Sequence, residues 1–473
     1  MRVETLATAT IAEHLAAEAQ AFTFEGLPPQ VVHQAKRSLL DGVAIGLGGY
    51  TSEPSQIIQS LIRDVGGPTE STVFVSGLRT SCLYATLANG AMVRYLDYMD
   101  RAFLVPEAVN DMGHHGESIV PILALGERQH SSGEDVITAI VAAYELLNKV
   151  ADSVGGNHGV IDHRGWAPET MRVPSVMALV AGRLLELTEQ EMANALAVAA
   201  SFTQELGILH SGEEELTMAR NLRFSFAAHN GILGALLAQK GFKGPLNVFE
   251  GHTGIAEVVA GGEMDFEKLR QPRREWTILN TWIKNFATEG RMHGHIEATI
   301  GLVNDHDIKA EDVAEVRVKT TAHTYRRMAN PATRRRPKTK YTADHSSYYC
   351  TAVAIIDRAV GPEQFADDRL RDQKVQALAD KVSVEADPAL EGYISPGIVE
   401  IIMKSGAKYA REILQPKGHP LNPMTDADLE AKFRTMAKAF MDERQMDQIL
   451  KTIYDLENTS DIGALMKLLV RSA

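Results

Sequence analysis

The chain has 473 residues, of which 45% are apolar and 23% are charged, and its formal net charge at pH 7 is -13. This composition predicts a globular protein with a substantial core rather than a disordered or fibrous one, and the length predicts at least two domains. The negative charge argues against a general nucleic-acid-binding surface and against attraction to anionic membranes.

Cysteine usage and the lack of a targeting pattern favour a cytoplasmic protein. The two cysteines, Cys82 and Cys350, form no CxxC motif and have no spacing suited to zinc, so we expect neither a disulfide framework nor a metal site. The N-terminal segment carries Glu4 and Glu13 and lacks a compact apolar core, which argues against a secretory signal. No apolar run reaches the roughly eighteen residues that a membrane span needs.

Residues 1–275 are predicted to form a large all-helical domain. Ala, Leu, Ile and Met recur there at spacings of three and four, with few strand-like alternations. Pro28 and Pro29 are typical of a helix start, and Thr188 with Glu191 forms a capping box that predicts another.

The segment 89–117 concentrates acid and base groups. In chain order these groups are Asp97, Asp100, Asp111, His114, His115 and Glu117. Asp97 and Asp100 are three residues apart, so on a helix end they would share one face and raise each other's pKa. Asp111 is assigned to the loop. Glycine and proline place the two histidines on a turn after an irregular loop, where catalytic groups are common, although a plain polar loop is the alternative.

Two later segments of the helical part hold further polar candidates. Glycines, a proline and two histidines interrupt the helical pattern at 155–171, which fits either a ligand-contacting backbone or a plain connecting loop. Arg220 and Arg223 could each clamp a carboxylate through the planar guanidinium group. Solvated surface arginines are nevertheless the commoner case.

The sequence pattern changes near residue 280. Val313, Val316 and Val318 approach the alternation of a strand, and the stretches KVSVEAD and GIVEIIMKSGAKYAREIL supply further strand candidates. A basic run at 334–340 is interpreted as a solvated loop.

These patterns predict a mainly α fold with an α+β part. Residues 276–415 would form a smaller mixed α/β lid domain, and residues 416–473 would return as C-terminal helices to the helical domain.

The motifs described so far resemble those of the MmgE/PrpD family, which includes 2-methylcitrate dehydratases, cis-aconitate decarboxylases and iminodisuccinate epimerases. The stretches that carry the resemblance are 97–118, 155–171, 217–231, 284–295 and 341–354. Their order and spacing cover essentially the whole chain, down to HPLNPMTDADLEAKF near its end. The resemblance implies a cofactor-independent enzyme that forms a homodimer. Its active site would bind a small di- or tricarboxylate between the helical domain and the lid.

The acidic segment matches the family residue by residue. YLDYMDR places Asp97 and Asp100 at the family's acidic positions, and GHHGES places His114 at its histidine. Arg101 stands where the family has Thr or Ser, and His115 replaces a proline.

The other family positions lie further along the chain. Arg220 takes the place of a family lysine and keeps its charge, and Lys284 opens the element that contains His293. Tyr349 matches the lid tyrosine. The resemblance implies that His114, Asp97, Tyr349 and Lys284 are catalytic.

One family histidine is missing near Ala167, where the chain reads RGWAPETM. His158, His163 or Glu169 could replace it. Substrate-binding roles are implied for a second set: Arg220, Arg101, His115, Asp100, His163, Glu169 and His293.

The mechanism implied is abstraction of a proton next to a carboxylate, with His114 as base or acid and Asp97 as its orienting or proton-sharing partner. A lyase, either a dehydratase or a decarboxylase, is the first reading. An epimerase or isomerase of a dicarboxylate is the second, since returning one proton needs no leaving-group acid. A non-catalytic carboxylate-binding protein is the third.

Overall fold

A computed structural model describes residues 9–202, 205–211, 215–272 and 275–472, and every element named below lies in these ranges. Up to residue 272 the described chain is mostly helical. The helices are α1 (Ile11–Gln20), α2 (Pro29–Gly48), α3 (Glu53–Val65), α4 (Cys82–Tyr95), α5 (Ile119–Gln129), α6 (Gly133–Asp152), α7 (Val160–His163), α8 (Glu169–Leu184), α9 (Glu189–Ser201), α10 (Ile208–Ser211), α11 (Arg223–Gln239), α12 (Ile255–Val258) and α13 (Phe266–Arg270). Three short strands accompany them: β1 (Ser71–Thr72), β2 (Arg79–Thr80) and β3 (Arg101–Ala102).

From residue 281 strands and helices mix. The strands are β4 (Thr281–Trp282), β5 (Val313–Thr320), β6 (Val382–Ala386), β7 (Gly397–Met403) and β8 (Lys408–Ile413). The helices of this part are α14 (His293–Asp305), α15 (Ala322–Met328), α16 (Ala332–Arg335), α17 (Lys340–Ala343), α18 (Ser347–Asp357), α19 (Asp367–Leu370) and α20 (Gln373–Ala379). Three helices follow: α21 (Asp426–Ala437), α22 (Glu443–Tyr454) and α23 (Gly463–Leu468).

Local sequence signals explain where helices begin. Pro28 precedes α2 and Pro29 is its first residue, as predicted, because the missing N–H of proline costs nothing in the first turn. The Thr188 hydroxyl accepts from the backbone N–H of Glu191 at the start of α9, and the Glu191 carboxylate accepts from the Thr188 N–H in return. Both predicted helix starts are confirmed.

Helix α11 packs closely against α8 and α9, and glycines make this approach possible. A Cβ atom at Gly231 would lie 2.9 Å from the Pro174 carbonyl oxygen, and one at Gly234 would lie 2.8 Å from that of Ala195. Such distances are shorter than side chains tolerate, so only glycine lets the backbones approach this far. The packing holds the N-terminus of α11, with Arg223, beside α8.

The mixed part is built on a four-stranded sheet with the order β6, β5, β7, β8. Strands β5 and β6 are parallel, with Val316 opposite Val382, whereas β7 is antiparallel to both β5 and β8. Helix α14 packs against β7 and β8, and α18 packs against α14 and β6. Val313, Val316 and Val318 of β5 are all buried under these helices, as the alternation predicted.

Two contacts join the parts of the chain near the candidate site. Strand β3 pairs with β4 so that Arg101 lies opposite Trp282. Helix α21 packs against α2, where the Lys432 ammonium is 2.7 Å from the Asp41 carboxylate. Lys432 also donates to the backbone carbonyls of Tyr98, at 3.2 Å, and Lys284, at 3.0 Å. The C-terminal helices therefore fix both backbone segments that carry the candidate site.

The predicted fold class, mainly α with a smaller α+β part, is confirmed. The domain limits at 275 and 415 stay predictions. The reading of 334–340 as a solvated loop holds for the exposed Arg336 and Lys338 but is wrong for Arg334 and Lys340, which are buried. Arg334 donates to the Arg327 carbonyl, and Lys340 lies 2.6 Å from Asp344. In the described ranges no helix is both long and apolar enough to cross a bilayer.

Candidate active site

A small cavity lies where residues of the helical part meet residues of the mixed part. Its described lining includes two carboxylates, Asp97 and Glu289, and five arginines: Arg94, Arg101, Arg220, Arg223 and Arg327. It also includes four histidines: His114, His158, His323 and His345. An excess of guanidinium groups in a buried cavity is suited to a ligand that carries several negative charges.

Asp97 lies in the left-handed backbone region, with φ of 49°. Helix α4 ends at Tyr95, and this turn directs the Asp97 carboxylate toward three cations. They are Lys284 at 3.0 Å, Arg220 at 3.5 Å and Arg94 at 3.8 Å. Burial opposes ionisation, but these cations together hold the pKa of Asp97 well below its ordinary value. Asp97 is therefore an anion at neutral pH.

The Lys284 side chain contacts other groups of the protein and is not part of the described cavity lining. Its ammonium is fully buried and donates to the Asp97 carboxylate, to the Asp97 carbonyl at 2.8 Å and to the Thr288 carbonyl at 2.9 Å. An ammonium has three protons, and these three acceptors engage all of them. The contacts of Lys284 thus stabilise the turn that presents Asp97, and its implied catalytic role stays a prediction.

His114 lines the cavity as a neutral imidazole. Its Nδ1 lies 2.6 Å from the backbone carbonyl oxygen of Asp100. Because a carbonyl only accepts, Nδ1 carries the proton and Nε2 keeps its lone pair. Burial, and then Lys284, Arg94 and Arg101, hold the pKa of His114 well below its ordinary value. The Asp100 carbonyl therefore orients the His114 ring, and the predicted partnership of His114 with Asp97 stays a prediction.

The Asp100 side chain is separate from the cavity. Its carboxylate accepts from the Gly116 N–H at 2.8 Å and the Tyr144 hydroxyl at 2.6 Å, and burial raises its pKa to about 7. The expectation that Asp97 and Asp100 share a helix face and raise each other's pKa is wrong. Helix α4 ends before both residues, and the left-handed turn at Asp97 directs the two carboxylates to different partners.

The raised pKa of Asp100 makes a prediction for stability. A carboxyl whose pKa is about 7 when folded and about 4 when unfolded binds its proton more tightly in the folded state. The free energy of unfolding should therefore decrease as pH rises from about 4 to about 7, by at most about 4 kcal/mol from this group. Asp100→Asn should remove this contribution, and urea unfolding of both proteins across that range measures the difference. An unchanged pH dependence in the variant would contradict the assignment.

Arg101, which replaces the family Thr or Ser, is the centre of a buried ionic cluster. It donates to Asp111 at 2.9 Å and binds Glu289, while Arg291 lies 3.4 Å from Asp111. These cations outweigh the effect of burial and hold the pKa of Asp111 far below its ordinary value. Asp111 lies in a loop, as assigned, but its side chain is fully buried and paired with two arginines.

Arg220 and Arg223 are buried rather than solvated. Arg223 binds Glu169, whose carboxylate also lies 3.7 Å from Arg172. Arg220 places Nη2 3.3 Å from His345, and its Nη1 has no hydrogen-bond partner among the described residues. Within the described part of the chain, Arg220 Nη1 is therefore a buried charged donor that could bind a ligand.

Several predicted residues lie outside the described cavity lining. His115 contacts Asn148 at 2.8 Å, and His163 is exposed on α7. His293 packs edge-on against Trp282 and Phe286. The Tyr349 hydroxyl donates to the Gln364 carbonyl at 2.5 Å. None of these four residues lines the described cavity, so the roles given to them stay predictions.

The position of the missing family histidine also lies outside the described cavity lining. Ala167 is fully buried, and Glu169 is engaged by arginines. His158 is the one candidate replacement that lines the described cavity, where it contacts Asp162 at 3.3 Å and packs on His323.

The sequence interpretation missed His345 and its neighbour Asp344. The His345 Nδ1 lies 2.5 Å from Asp344, and its Nε2 lies 3.4 Å from Asp97. The signal available was an acid and a histidine side by side in TADHSS, within the segment selected for Tyr349.

Asp97, Asp344 and His345 could geometrically share a cation, because one ligand atom of each lies within 4.8 Å of the others. Each carboxylate already has an ammonium partner, Lys284 for Asp97 and Lys340 for Asp344. These fixed positive charges oppose a metal ion at this position.

Two family models match the chain. The MmgE/PrpD N-terminal domain matches residues 13–267, and the MmgE/PrpD C-terminal domain matches residues 286–456. The chain belongs to the MmgE/PrpD family. The predicted resemblance is therefore confirmed.

Similar relatives of this MmgE/PrpD protein include decarboxylases and a dehydratase. A cis-aconitate decarboxylase of Aspergillus terreus is 24% identical over 470 residues, which cover 94% of this chain and 93% of the relative. The human cis-aconitate decarboxylase is 22% identical, covering 94% and 91%. A 2-methylcitrate dehydratase of Escherichia coli is 23% identical over 388 residues, covering 77% of each chain.

Proposed function

We propose that this protein is a cofactor-independent lyase that acts on a small di- or tricarboxylate by abstracting a proton next to a carboxylate. The observation that carries the proposal is the neutral His114 imidazole, with its Nε2 lone pair unprotonated, in a cavity lined by five arginines. The reaction is either a dehydration or a decarboxylation.

The chemistry follows from the charges. Removing a proton beside a carboxylate places a second negative charge on the carboxylate oxygens as an enediolate. Fixed guanidinium groups in a water-poor cavity stabilise that charge without reorganisation. His114 is the base because its Nδ1 proton is held by Asp100 and its Nε2 is not protonated at neutral pH.

The relatives support a lyase, since those reported above bear the names of decarboxylases and a dehydratase. The experiment is a screen of the purified protein against citrate-like, aconitate-like and aminodicarboxylate compounds, with mass spectrometry reporting loss of water or carbon dioxide. Binding of these compounds in a thermal-shift assay without any turnover would instead support a non-catalytic carboxylate-binding protein.

An epimerase of a dicarboxylate is the second candidate. It is favoured by Ala167, which provides no titratable group where many family members have a histidine. Exchange of the substrate α-proton with deuterium from solvent, without loss of water or carbon dioxide, would identify it.

Arg220 should hold a substrate carboxylate through its Nη1, which has no hydrogen-bond partner among the described residues. Replacing it by Gln removes a charge-assisted hydrogen bond of about 1.5 to 3 kcal/mol, so KM should rise about 10- to 100-fold. Steady-state kinetics on the substrate found in the screen measures this rise. Arg164→Gln is the matched control, because Arg164 is exposed and donates to backbone carbonyls outside the cavity. An unchanged KM in Arg220→Gln would remove Arg220 from the binding site.

The proposal includes a homodimer in the cytoplasm with no nucleic-acid or membrane partner, as the family resemblance and the charge imply. Light scattering of the purified protein measures the oligomeric state.

A further inference from the structure

His345 is held rigidly between two helices. Asp344 follows the end of α17, and the Ser346 hydroxyl accepts from the Tyr349 N–H at 3.1 Å to cap α18. The His345 backbone N–H donates to the Thr342 carbonyl at 3.2 Å. The imidazole therefore projects from a fixed backbone of the mixed part into the cavity that His114 enters from the helical part.

Asp344 determines which nitrogen of His345 carries the proton. Its carboxylate lies 2.6 Å from the Lys340 ammonium and 2.5 Å from His345 Nδ1, and its carbonyl accepts from the Glu289 N–H at 3.0 Å. Burial opposes ionisation, but Lys340 and His345 hold the pKa of Asp344 below its ordinary value. An ionised carboxylate only accepts, so Nδ1 is protonated and Nε2 is the nitrogen available for proton exchange.

The surroundings of Nε2 differ from those of His114. His345 Nε2 lies 3.4 Å from the Asp97 carboxylate and 3.3 Å from Arg220. A protonated His345 would lie between two carboxylates with one guanidinium, Arg220, beside it, whereas a protonated His114 would face a neutral carbonyl and the charges of Lys284, Arg94 and Arg101, with Asp97 as the opposing anion. Of the two imidazoles, His345 is the better place for a positive charge.

We propose that His345 is the general acid of this site, delivering a proton from Nε2 to the substrate, and that Asp344 is its positioning residue. The inference rests on the proposed lyase function and deepens it. It assigns opposite roles to two imidazoles, with His114 as the base and His345 as the acid.

Both lyase reactions need such a donor. In a dehydration the α-proton moves to His114, the C–O bond breaks, and the leaving oxygen takes the His345 proton and departs as water. In a decarboxylation of an unsaturated acid the C–C bond to the leaving carboxylate breaks and carbon dioxide departs. A substrate carbon then takes the His345 proton, which solvent replaces.

The charges around His345 agree with this division. Burial and Arg220 lower its pKa to about 4, while Asp344 and Asp97 oppose that shift, and the Glu289 carboxylate also faces the ring. A bound polyanion adds negative charge to the cavity and raises the pKa of both histidines.

The test uses His345→Gln in the full chain, with cis-aconitate and citrate as the first probes. Gln can donate to Asp344 and accept from Arg220, but it cannot deliver a proton. We expect kcat to fall at least about 100-fold, while citrate affinity measured by calorimetry changes less than about threefold. Retention of more than a third of the wild-type kcat would overturn the proposal.

A second variant tests the proposal independently if the His345→Gln protein does not fold. Asp344→Asn removes one carboxylate beside the acid, so the alkaline limb of the kcat profile should move to lower pH by about one unit. An unmoved limb would overturn the role of the pair. Turnover by the wild type together with an active His345→Gln protein refutes this inference alone, whereas a wild type inactive on every carboxylate refutes the proposed function as well.

Discussion

His114→Asn should lower kcat by about 10²- to 10⁴-fold, the usual range for losing a positioned general base. The Asn amide can still donate to the Asp100 carbonyl, which holds His114 Nδ1 in the wild type, so the fold should survive. What the variant lacks is the lone pair of Nε2. Steady-state kinetics and a thermal melt of the same preparation measure the two effects separately.

The control for this prediction is His130→Asn. His130 is exposed and lies in the left-handed backbone region, which Asn tolerates well. It should keep wild-type kinetics. If His114→Asn also keeps them, His114 does not belong in the mechanism.

Arg101→Thr should destabilise the protein by about 3 to 5 kcal/mol, although it restores the residue type of the family. Arg101 is the shared partner of Asp111 and Glu289, both of which are buried. Removing it leaves these carboxylates in a low-dielectric interior with less compensation, where an unpaired charge is costly. Urea unfolding at neutral pH measures the loss.

A partly exposed ion pair offers the comparison. Arg128 pairs with Glu70 at 3.1 Å, and both side chains are about a quarter exposed. Arg128→Thr should therefore cost less than about 1 kcal/mol, because solvent screens such pairs. Equal losses in the two variants would show that the Arg101 cluster contributes no more than a surface pair. If the double variant Arg101→Thr/Asp111→Asn is more stable than Arg101→Thr alone, the uncompensated Asp111 charge causes part of the loss.

Much of the fold was predictable because periodicity and caps are local properties of the sequence. The start of α2 at Pro29, the capping box of α9 and strand β5 follow directly from neighbouring residues. The burial of Arg334 and Lys340 was not predictable, since a basic run gives no sign of the acceptors that distant segments bring to it.

The candidate site was predictable only in part. Asp97, His114, Arg101 and Arg220 line the cavity as the family motifs suggested. Several of their partners were not predictable, because they come from distant segments, as Lys284 does for Asp97 and Glu289 for Arg101. The left-handed turn at Asp97 and the carbonyl that orients His114 depend on backbone geometry that residue types do not encode. His345 reaches Asp97 across 248 positions of sequence (345 minus 97), so its role emerges only once the two parts pack together.

The most direct measurement of the central claim follows the substrate α-proton in deuterium oxide. Purified protein is incubated with citrate, cis-aconitate and aminodicarboxylates, and proton NMR with mass spectrometry reports deuterium uptake and loss of water or carbon dioxide. We predict turnover of at least one carboxylate, either by loss of water that His114→Asn abolishes or by loss of carbon dioxide with one deuterium taken up in the product. Binding of these carboxylates with neither exchange nor product formation would contradict a lyase built on His114.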